Sequence, residues 1–326
     1  MKSEKMMISQ NGLAYASFMV VKEYEKINNE SPSGLYFNKA ISFLNTILKN
    51  KGIDLAVPHC WYRWGDEVVR YYMPRDLKWT HEENVHTIVD WEGGIPDYPE
   101  GNVKELIDYN VREMTKKYAI KGQIQDFVDT IYEEAPFEFQ RKYKQVRDFF
   151  YTTSNSGIMD EKEKRKLLIR ALEEALKSFP SDDIFDDVRE IIPKFKRLMD
   201  YGLNSSSIDL KILNEVSEEF WFLFCYYLRI HPKSYENIRR DTIRYWTEIL
   251  PDKKSEFMEN FRDHVLGFSH IIHKISTDDE IGSCASQALR DDEEFNQLFS
   301  EFQSSVDELD EFLAENKKKY RFGGLN

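Results

Sequence analysis

Apolar residues recur at the helical period along most of this 326-residue chain, and that pattern restricts the fold more than any other feature. Successive amphipathic segments must bury their apolar stripes against one another, which predicts packed helices rather than a large sheet. The predicted helices span residues 13–26, 35–50, 80–93, 103–118, 122–134, 136–151, 160–178, 182–201, 209–230, 234–250, 255–275 and 291–319. We therefore expect a mostly α-helical protein.

One stretch, His59–Met73, departs from the helical pattern. Two aromatic and β-branched runs flank Gly65-Asp66, a pair typical of a two-residue turn, which predicts a β-hairpin. Pairing Trp64 with Glu67 fixes the register. One face of the hairpin then carries all of its basic side chains beside two aromatic ones, and it consists of His59, Trp61, Arg63, Val68, Arg70 and Tyr72. In this register Trp61 lies opposite Arg70, close enough for a cation–π contact.

Charge and a polar linker suggest two domains. The segment 152–157, Thr-Thr-Ser-Asn-Ser-Gly, is the best linker candidate, which predicts a mixed α/β region at 1–151 and an acidic α-helical domain at 158–326. The net charge is -13, and most of it falls after residue 151. This charge argues against a protein covered with nucleic acid, and it places any anion-binding surface in the first half.

The compartment predicted from the sequence is the cytoplasm. Three widely spaced cysteines fit neither a disulfide framework nor a zinc knuckle, and residues 1–10 lack the apolar core of a signal peptide. The most hydrophobic run, Phe220–Leu228, is shorter than the roughly 20 residues of a membrane span. We therefore expect no membrane association and read the run as a buried helix.

Strong catalytic signatures are absent from the sequence, so we predict no catalytic residues and no cofactor. There is no phosphate-binding loop, dinucleotide fingerprint, Cys-x-x-Cys pair or Gly-x-Ser-x-Gly elbow. His81 and His86 are five positions apart, which puts them on different faces of a helix, whereas the zincin motif spaces its histidines by four.

A metal site is the alternative for the predicted helix 255–275. Four ligand-type residues share one side of it at helical spacing, and these are Glu259, Asp263, His270 and His273. A histidine pair three apart with nearby carboxylates suits zinc or iron. The opposite side is an apolar stripe, so the polar side fits a surface that faces water better than a metal site.

Arginines interleaved with aromatic residues on the hairpin face are open to three interpretations. They suit nucleic acid, since such pairs hold phosphates and stack bases. They suit a protein partner equally, because Trp, Tyr and Arg dominate interface hot spots. They are also explained by internal packing if the arginines pair with Asp54, Glu67 or Asp76.

The order of elements over residues 12–73, helix, amphipathic helix, strand, turn, strand, resembles a winged-helix module. In that family the helix before the hairpin enters the major groove and the hairpin wing touches the backbone. The resemblance implies a recognition face of Asn38, Ser42, Asn45 and Lys49, with Arg63 and Arg70 on the wing. That helix face is poor in Lys and Arg, and the turn carries acidic residues, which favours protein contacts over DNA.

These observations lead to a working hypothesis of a non-enzymatic cytosolic regulator or adaptor. It binds a protein or nucleic-acid partner through the helix–hairpin region 35–73. One alternative is a metal-dependent enzyme with its site on the 255–275 helix. Another is a structural scaffold, in which the apolar stripe of the 291–319 helix either packs within its own bundle, the favoured interpretation, or forms a homodimer.

Overall fold

A computed structural model describes residues 7–9, 11–62, 65–81, 87–119, 124–155, 160–206, 208–240 and 243 of the chain. These residues divide into two compact units. The first unit contains the described residues up to Phe137 together with Cys225–Ile243, and the second contains Glu138–Phe224. The predicted linker 152–157 overlaps the end of a helix, and residues 156–159 lie outside the described part. The predicted division at 151–158 stays a prediction.

Four helices build most of the first unit. They are α1 (Gly12–Asn28), α2 (Gly34–Lys49), α3 (Val103–Tyr118) and α4 (Ile124–Tyr132). The helix α2 begins where it does because the Ser33 side chain accepts a hydrogen bond from the Tyr36 amide (3.2 Å), which is an N-cap. The predicted helices at 13–26, 35–50 and 103–118 are thereby confirmed to within two residues at each end.

Small sheets complete the first unit. The strands are β1 (Met7–Ile8), β2 (Ile53–Asp54), β3 (His59–Tyr62), β4 (Gly65–Val68), β5 (Leu77–His81), β6 (Thr87–Trp91) and β7 (Tyr235–Glu236). The strands β1 and β2 pair in parallel, β5 and β6 form an antiparallel pair, and a three-stranded sheet has the order β4-β3-β7. The chain is thus mostly helical with small sheets, as the sequence predicts.

The predicted hairpin is present, but its register differs from the expected one. Tyr62 pairs with Gly65 and Trp61 with Asp66, so the turn falls on residues 63–64, which lie outside the described part. Gly65 begins β4 instead of occupying the turn. Its φ is +92°, and a Cβ there would lie 3.1 Å from Lys39 Nζ. A glycine is required here for backbone conformation and close packing, not for turn formation.

This register contradicts the predicted pairing of Trp61 with Arg70. The strand β4 ends at Val68, and Arg70 starts a 3-10 helix, Arg70–Tyr72, closed by a hydrogen bond from the Met73 amide to the Arg70 carbonyl (3.2 Å). The two-residue slip on each strand preserves side-chain alternation, so His59, Trp61 and Val68 still share a face.

The predicted helix at 80–93 is wrong, because β5 and β6 form a second hairpin there. Trp79 pairs with Val89 and Thr80 with Ile88, while residues 82–86 lie outside the described part. β-Branched and aromatic residues dominate β6 and include Trp79 and Thr80 of β5, and their propensity outweighs the capping-box pattern at residues 80–83. The predicted helix 234–250 also begins wrongly, since a 3-10 helix (Pro232–Ser234) and then β7 occupy its first residues.

The second unit is helical. It contains α5 (Glu138–Asn155), α6 (Glu161–Lys177), α7 (Asp186–Asn204) and the first part of α8 (Leu210–Ile230), which runs on into the first unit. Aromatic rings form its core: Tyr143 stacks on Trp221 with centroids 5.5 Å apart, and Phe195 stacks on Phe220 at 4.1 Å. The apolar run Phe220–Leu228 is confirmed as part of a buried helix.

No helix in the described ranges is both long enough and apolar enough to cross a membrane.

Candidate functional site

The helix face that the winged-helix resemblance assigns to recognition is largely enclosed by the protein. Ser42 and Asn45 are buried, and Asn38 is half-buried. The Asn45 Oδ1 atom accepts a hydrogen bond from the Leu55 amide (2.9 Å), which ties α2 to the chain after β2. Lys49 at the end of this face forms an ion pair with Glu236. In this state, therefore, these side chains make internal contacts, and a role in partner binding stays a prediction.

The predicted hairpin residues separate into buried and exposed positions. Trp61 is buried and its ring meets Tyr132 edge-on at 5.6 Å, so it belongs to the core. Arg63 lies outside the described residues. Arg70 is exposed and Tyr72 half-buried, both in the 3-10 helix that follows β4. Of the predicted partner-binding residues in the hairpin, the structure thus leaves Arg70 and Tyr72 on the surface.

Arg70 has an aromatic partner different from the one expected. Its guanidinium carbon lies 4.5 Å from the centre of the Trp79 ring, and one guanidinium nitrogen donates a long hydrogen bond of 3.5 Å to the Thr87 hydroxyl. Trp79 is half-buried on β5. We call Arg70 and Trp79 the Arg70 surface. A cation–π contact at an exposed site is worth about 0.5–1 kcal/mol, enough to orient the guanidinium.

The ion pairs do not support the interpretation that Arg70 serves only internal packing by pairing with a nearby carboxylate. Asp54 lies 4.0 Å from Lys49, and no arginine of the described residues lies within ion-pair distance of it. Among the described residues, no carboxylate lies within 4.0 Å of the Arg70 guanidinium. Glu67 affects Arg70 only through the electrostatic field of its carboxylate. The Arg70 guanidinium therefore has N–H groups that can donate hydrogen bonds to a carboxylate or phosphate of a partner.

A second polar cluster, which the sequence did not predict, joins the hairpin to the strand β7. The His59 ring donates from Nδ1 to Asp66 Oδ1 (2.6 Å) and from Nε2 to Glu236 Oε2 (3.1 Å). Lys49 Nζ contacts the same Glu236 oxygen. Lys39 Nζ donates to the Asp66 carbonyl oxygen at 2.7 Å. We call these five residues the charge chain, because positive and negative groups alternate along it.

The charge chain holds His59 as an imidazolium. Burial lowers the pKa of His59, but the charge of Asp66 and the hydrogen bonds to Asp66 and Glu236 outweigh it and raise that pKa to about 10. The hydrogen bond from His59, reinforced by Lys49, lowers the pKa of Glu236 to about 2. Burial raises the pKa of Asp66, yet the charge of His59 prevails and the result is a lowered pKa.

The protonation state of His59 restricts its chemistry. A doubly protonated ring carries an N–H group on each nitrogen, and here both groups donate hydrogen bonds to carboxylates. Neither nitrogen therefore has a lone pair that could accept a proton or bind a metal. Near neutral pH the His59 ring is therefore an ionic tie between Asp66 and Glu236, not a general base.

Lys39 is the most deeply buried member of the charge chain, with no exposed surface. Burial lowers its pKa to about 8, against the opposing charges of Glu67 and Asp66. The Lys39 Nζ atom lies 3.1 Å from the position that a Gly65 Cβ would take, so a larger residue at position 65 would crowd the lysine.

Sequence reasoning missed Trp79, Asp66 as a partner of His59, Glu236 and Lys39. The β-rich run Leu77–His81 carried a usable signal for Trp79, which the adjacent capping-box pattern obscured. Glu236 lies 177 residues from His59, and one sequence without an alignment contains no signal for such a pair.

The metal alternative falls on residues that the structure does not describe. Glu259, Asp263, His270 and His273 lie outside the described part, as does the predicted dimer helix 291–319. Within the described ranges, no group of three or more His, Cys, Asp or Glu side chains is arranged to hold a metal ion.

Comparison of the whole chain with protein-family models, with curated proteins and with solved structures produced no match.

Proposed function

We propose that this chain is a non-enzymatic cytosolic regulator or adaptor that binds a protein partner through the Arg70 surface. The surface lies at the end of the predicted 35–73 interface. The observation that supports it is an exposed guanidinium, held over the Trp79 ring at 4.5 Å, with no carboxylate in ion-pair distance among the described residues. Arginine and aromatic residues in this combination are enriched at interface hot spots.

Charge on the hairpin that carries Trp79 favours a protein over a nucleic acid. The exposed carboxylates of Asp76 and Glu92 lie at the end of the β5–β6 hairpin, where the Glu92 amide donates to the Asp76 carbonyl oxygen (3.0 Å). With a net charge of -13, the chain offers little general attraction to a polyanion. A partner protein that presents one carboxylate to Arg70 avoids this repulsion.

The proposal retains the winged-helix resemblance in its protein-binding form. The order α1, α2, β3, β4 follows the order of elements on which the resemblance depends. The enclosure of the α2 face by the protein supports contact through the region after the hairpin rather than through α2.

A quantitative pull-down from extract of the source cells tests the proposal. Wild-type protein, Arg70→Ala and Lys78→Ala are compared by mass spectrometry. Lys78 is the matched control, because it is an exposed cation on β5 but already pairs with Glu92 (3.6 Å). We expect Arg70→Ala to recover a specific partner at least about tenfold less than wild type, and Lys78→Ala to recover it fully.

Equal recovery by wild type and Arg70→Ala would remove the Arg70 surface from the proposal. Fluorescence anisotropy with single- and double-stranded DNA and RNA tests the other class of partner. Binding that weakens steeply with salt and is lost in Arg70→Ala would replace the protein partner by a nucleic acid.

A further inference from the structure

The strand β7 is an unusually short closure of a sheet edge. It contributes two residues, Tyr235 and Glu236, which pair antiparallel with Cys60 and His59 at the outer edge of β3. Two paired positions provide few backbone hydrogen bonds, and a strand of this length has little intrinsic stability. Its attachment must therefore depend on side chains.

Those side-chain attachments are mostly ionic. Glu236 Oε2 receives a hydrogen bond from His59 Nε2 (3.1 Å) and contacts Lys49 Nζ, while Asp66 holds the other His59 nitrogen at 2.6 Å. A neutral bond from Asn237 Nδ2 to the Val57 carbonyl oxygen (3.1 Å) supplements them, and Lys233 Nζ lies 5.4 Å from the centre of the Phe137 ring. The Glu236 side chain is 47% exposed, so ions in solution can reach this end of the charge chain.

We infer that β7 is a releasable strap, held on the edge of β3 by the charge chain and detached when that chain loses a charge. The groups that surround His59 and Glu236 come from three other elements: Asp66 of β4, Lys39 and Lys49 of α2, and Asp54 of β2. Detachment uncovers the backbone of β3 at His59 and Cys60. An uncovered strand edge accepts another extended segment, so the strap controls access to it.

The state of the imidazolium explains why the attachment depends on charge. Only the protonated ring has two N–H donors, one for each carboxylate. The neutral ring has one donor, so either Asp66 or Glu236 then faces a lone pair. Deprotonation of His59 thus replaces the attraction between the ring and one carboxylate, Asp66 or Glu236, by a repulsion between that carboxylate and the ring lone pair.

Hydrogen exchange of the full-length chain at neutral pH, followed by mass spectrometry, tests this inference. Glu236→Gln keeps the shape of the side chain and removes its charge. Glu92→Gln is the matched control, since it removes a more exposed carboxylate from a pair with Lys78 (3.6 Å). We expect amides of residues 232–237 to exchange about tenfold faster in Glu236→Gln, because the lost bond is charge-assisted, and α1 to remain unchanged.

A salt series on wild-type protein gives an independent measurement if the variant does not fold. Exchange in residues 232–237 should accelerate between low salt and 1 M NaCl, and Glu236→Gln should lose this dependence. Unchanged exchange in both experiments would overturn the inference. Acceleration spread evenly over the first unit would overturn it too, because the strap would then not detach separately from that unit.

Discussion

Replacing Glu219 by methionine should stabilise the protein. This expectation is unusual, because the substitution removes a buried ionisable group. Glu219 on α8 is 3% exposed, and neither carboxylate oxygen has a hydrogen-bond partner within the part of the chain that the structure describes. Burial raises the pKa of Glu219 well above its ordinary value of 4.5, and the charge of Glu215 adds to the effect. Methionine fills a similar volume without a group that requires solvation.

The magnitude follows from proton linkage. Above pH 4.5 the unfolded chain releases the Glu219 proton while the folded chain retains it, so stability falls as pH rises. The slope is at most about 1.4 kcal/mol per pH unit. Between pH 4.5 and pH 7 the accumulated cost is at most about 3 kcal/mol, and Glu219→Met should recover much of it.

Urea unfolding followed by tryptophan fluorescence, from pH 4.5 to 7.5, measures this difference. The neighbouring Glu218 is the control, because it accepts two hydrogen bonds from Arg147 (2.6 and 2.8 Å). Glu218→Gln should therefore lower stability by about 1 kcal/mol, the opposite sign. A pH-independent difference between wild type and Glu219→Met, or a less stable Glu219→Met at pH 7, would refute the reasoning.

Three further outcomes are expected. Gly65→Ala should lower the free energy of unfolding by about 2 kcal/mol or more, because φ is +92° and the new Cβ would meet Lys39 Nζ; thermal unfolding measures it. Since His59 has a raised pKa, its contribution to stability is complete below pH 6.5 and disappears as pH rises through about 10, so wild type and His59→Gln should converge in stability at alkaline pH in urea titrations. Tyr143→Phe should cost about 1 kcal/mol in equilibrium unfolding, since the hydroxyl bonds both the carbonyl and the Oγ of Ser217 (2.9 Å each); an unchanged midpoint would contradict this.

The helices were predictable because their signals are local. Apolar periodicity, a serine cap before Gly34 and helix-forming composition act within a few residues, so α2, α3 and α8 lie where the pattern indicates. The burial of Phe220–Leu228 was equally predictable, because such an apolar run is rarely exposed to water in a folded protein.

Strand positions were less predictable, because a strand is stabilised by its neighbours. Gly65-Asp66 is a turn pair by local preference, yet the packing of Lys39 against Gly65 places the pair inside β4. At residues 80–83 a capping-box pattern favours a helix, whereas the preceding β-rich run favours a strand. The pairing of Trp79 with Val89 stabilises the strand. The expected partner of Arg70 changed from Trp61 to Trp79 as a consequence.

The sequence by itself determined the helical class, the positions of most helices, the hairpin between α2 and α3, and the presence of arginine among aromatics in that region. The tertiary structure decided which of those side chains are exposed, with Trp61 buried and Arg70 on the surface. It also assembled the charge chain, by bringing Glu236 to His59. The physical reason is range: periodicity and caps act between neighbours along the chain, whereas burial and ion pairing depend on segments that only folding brings together.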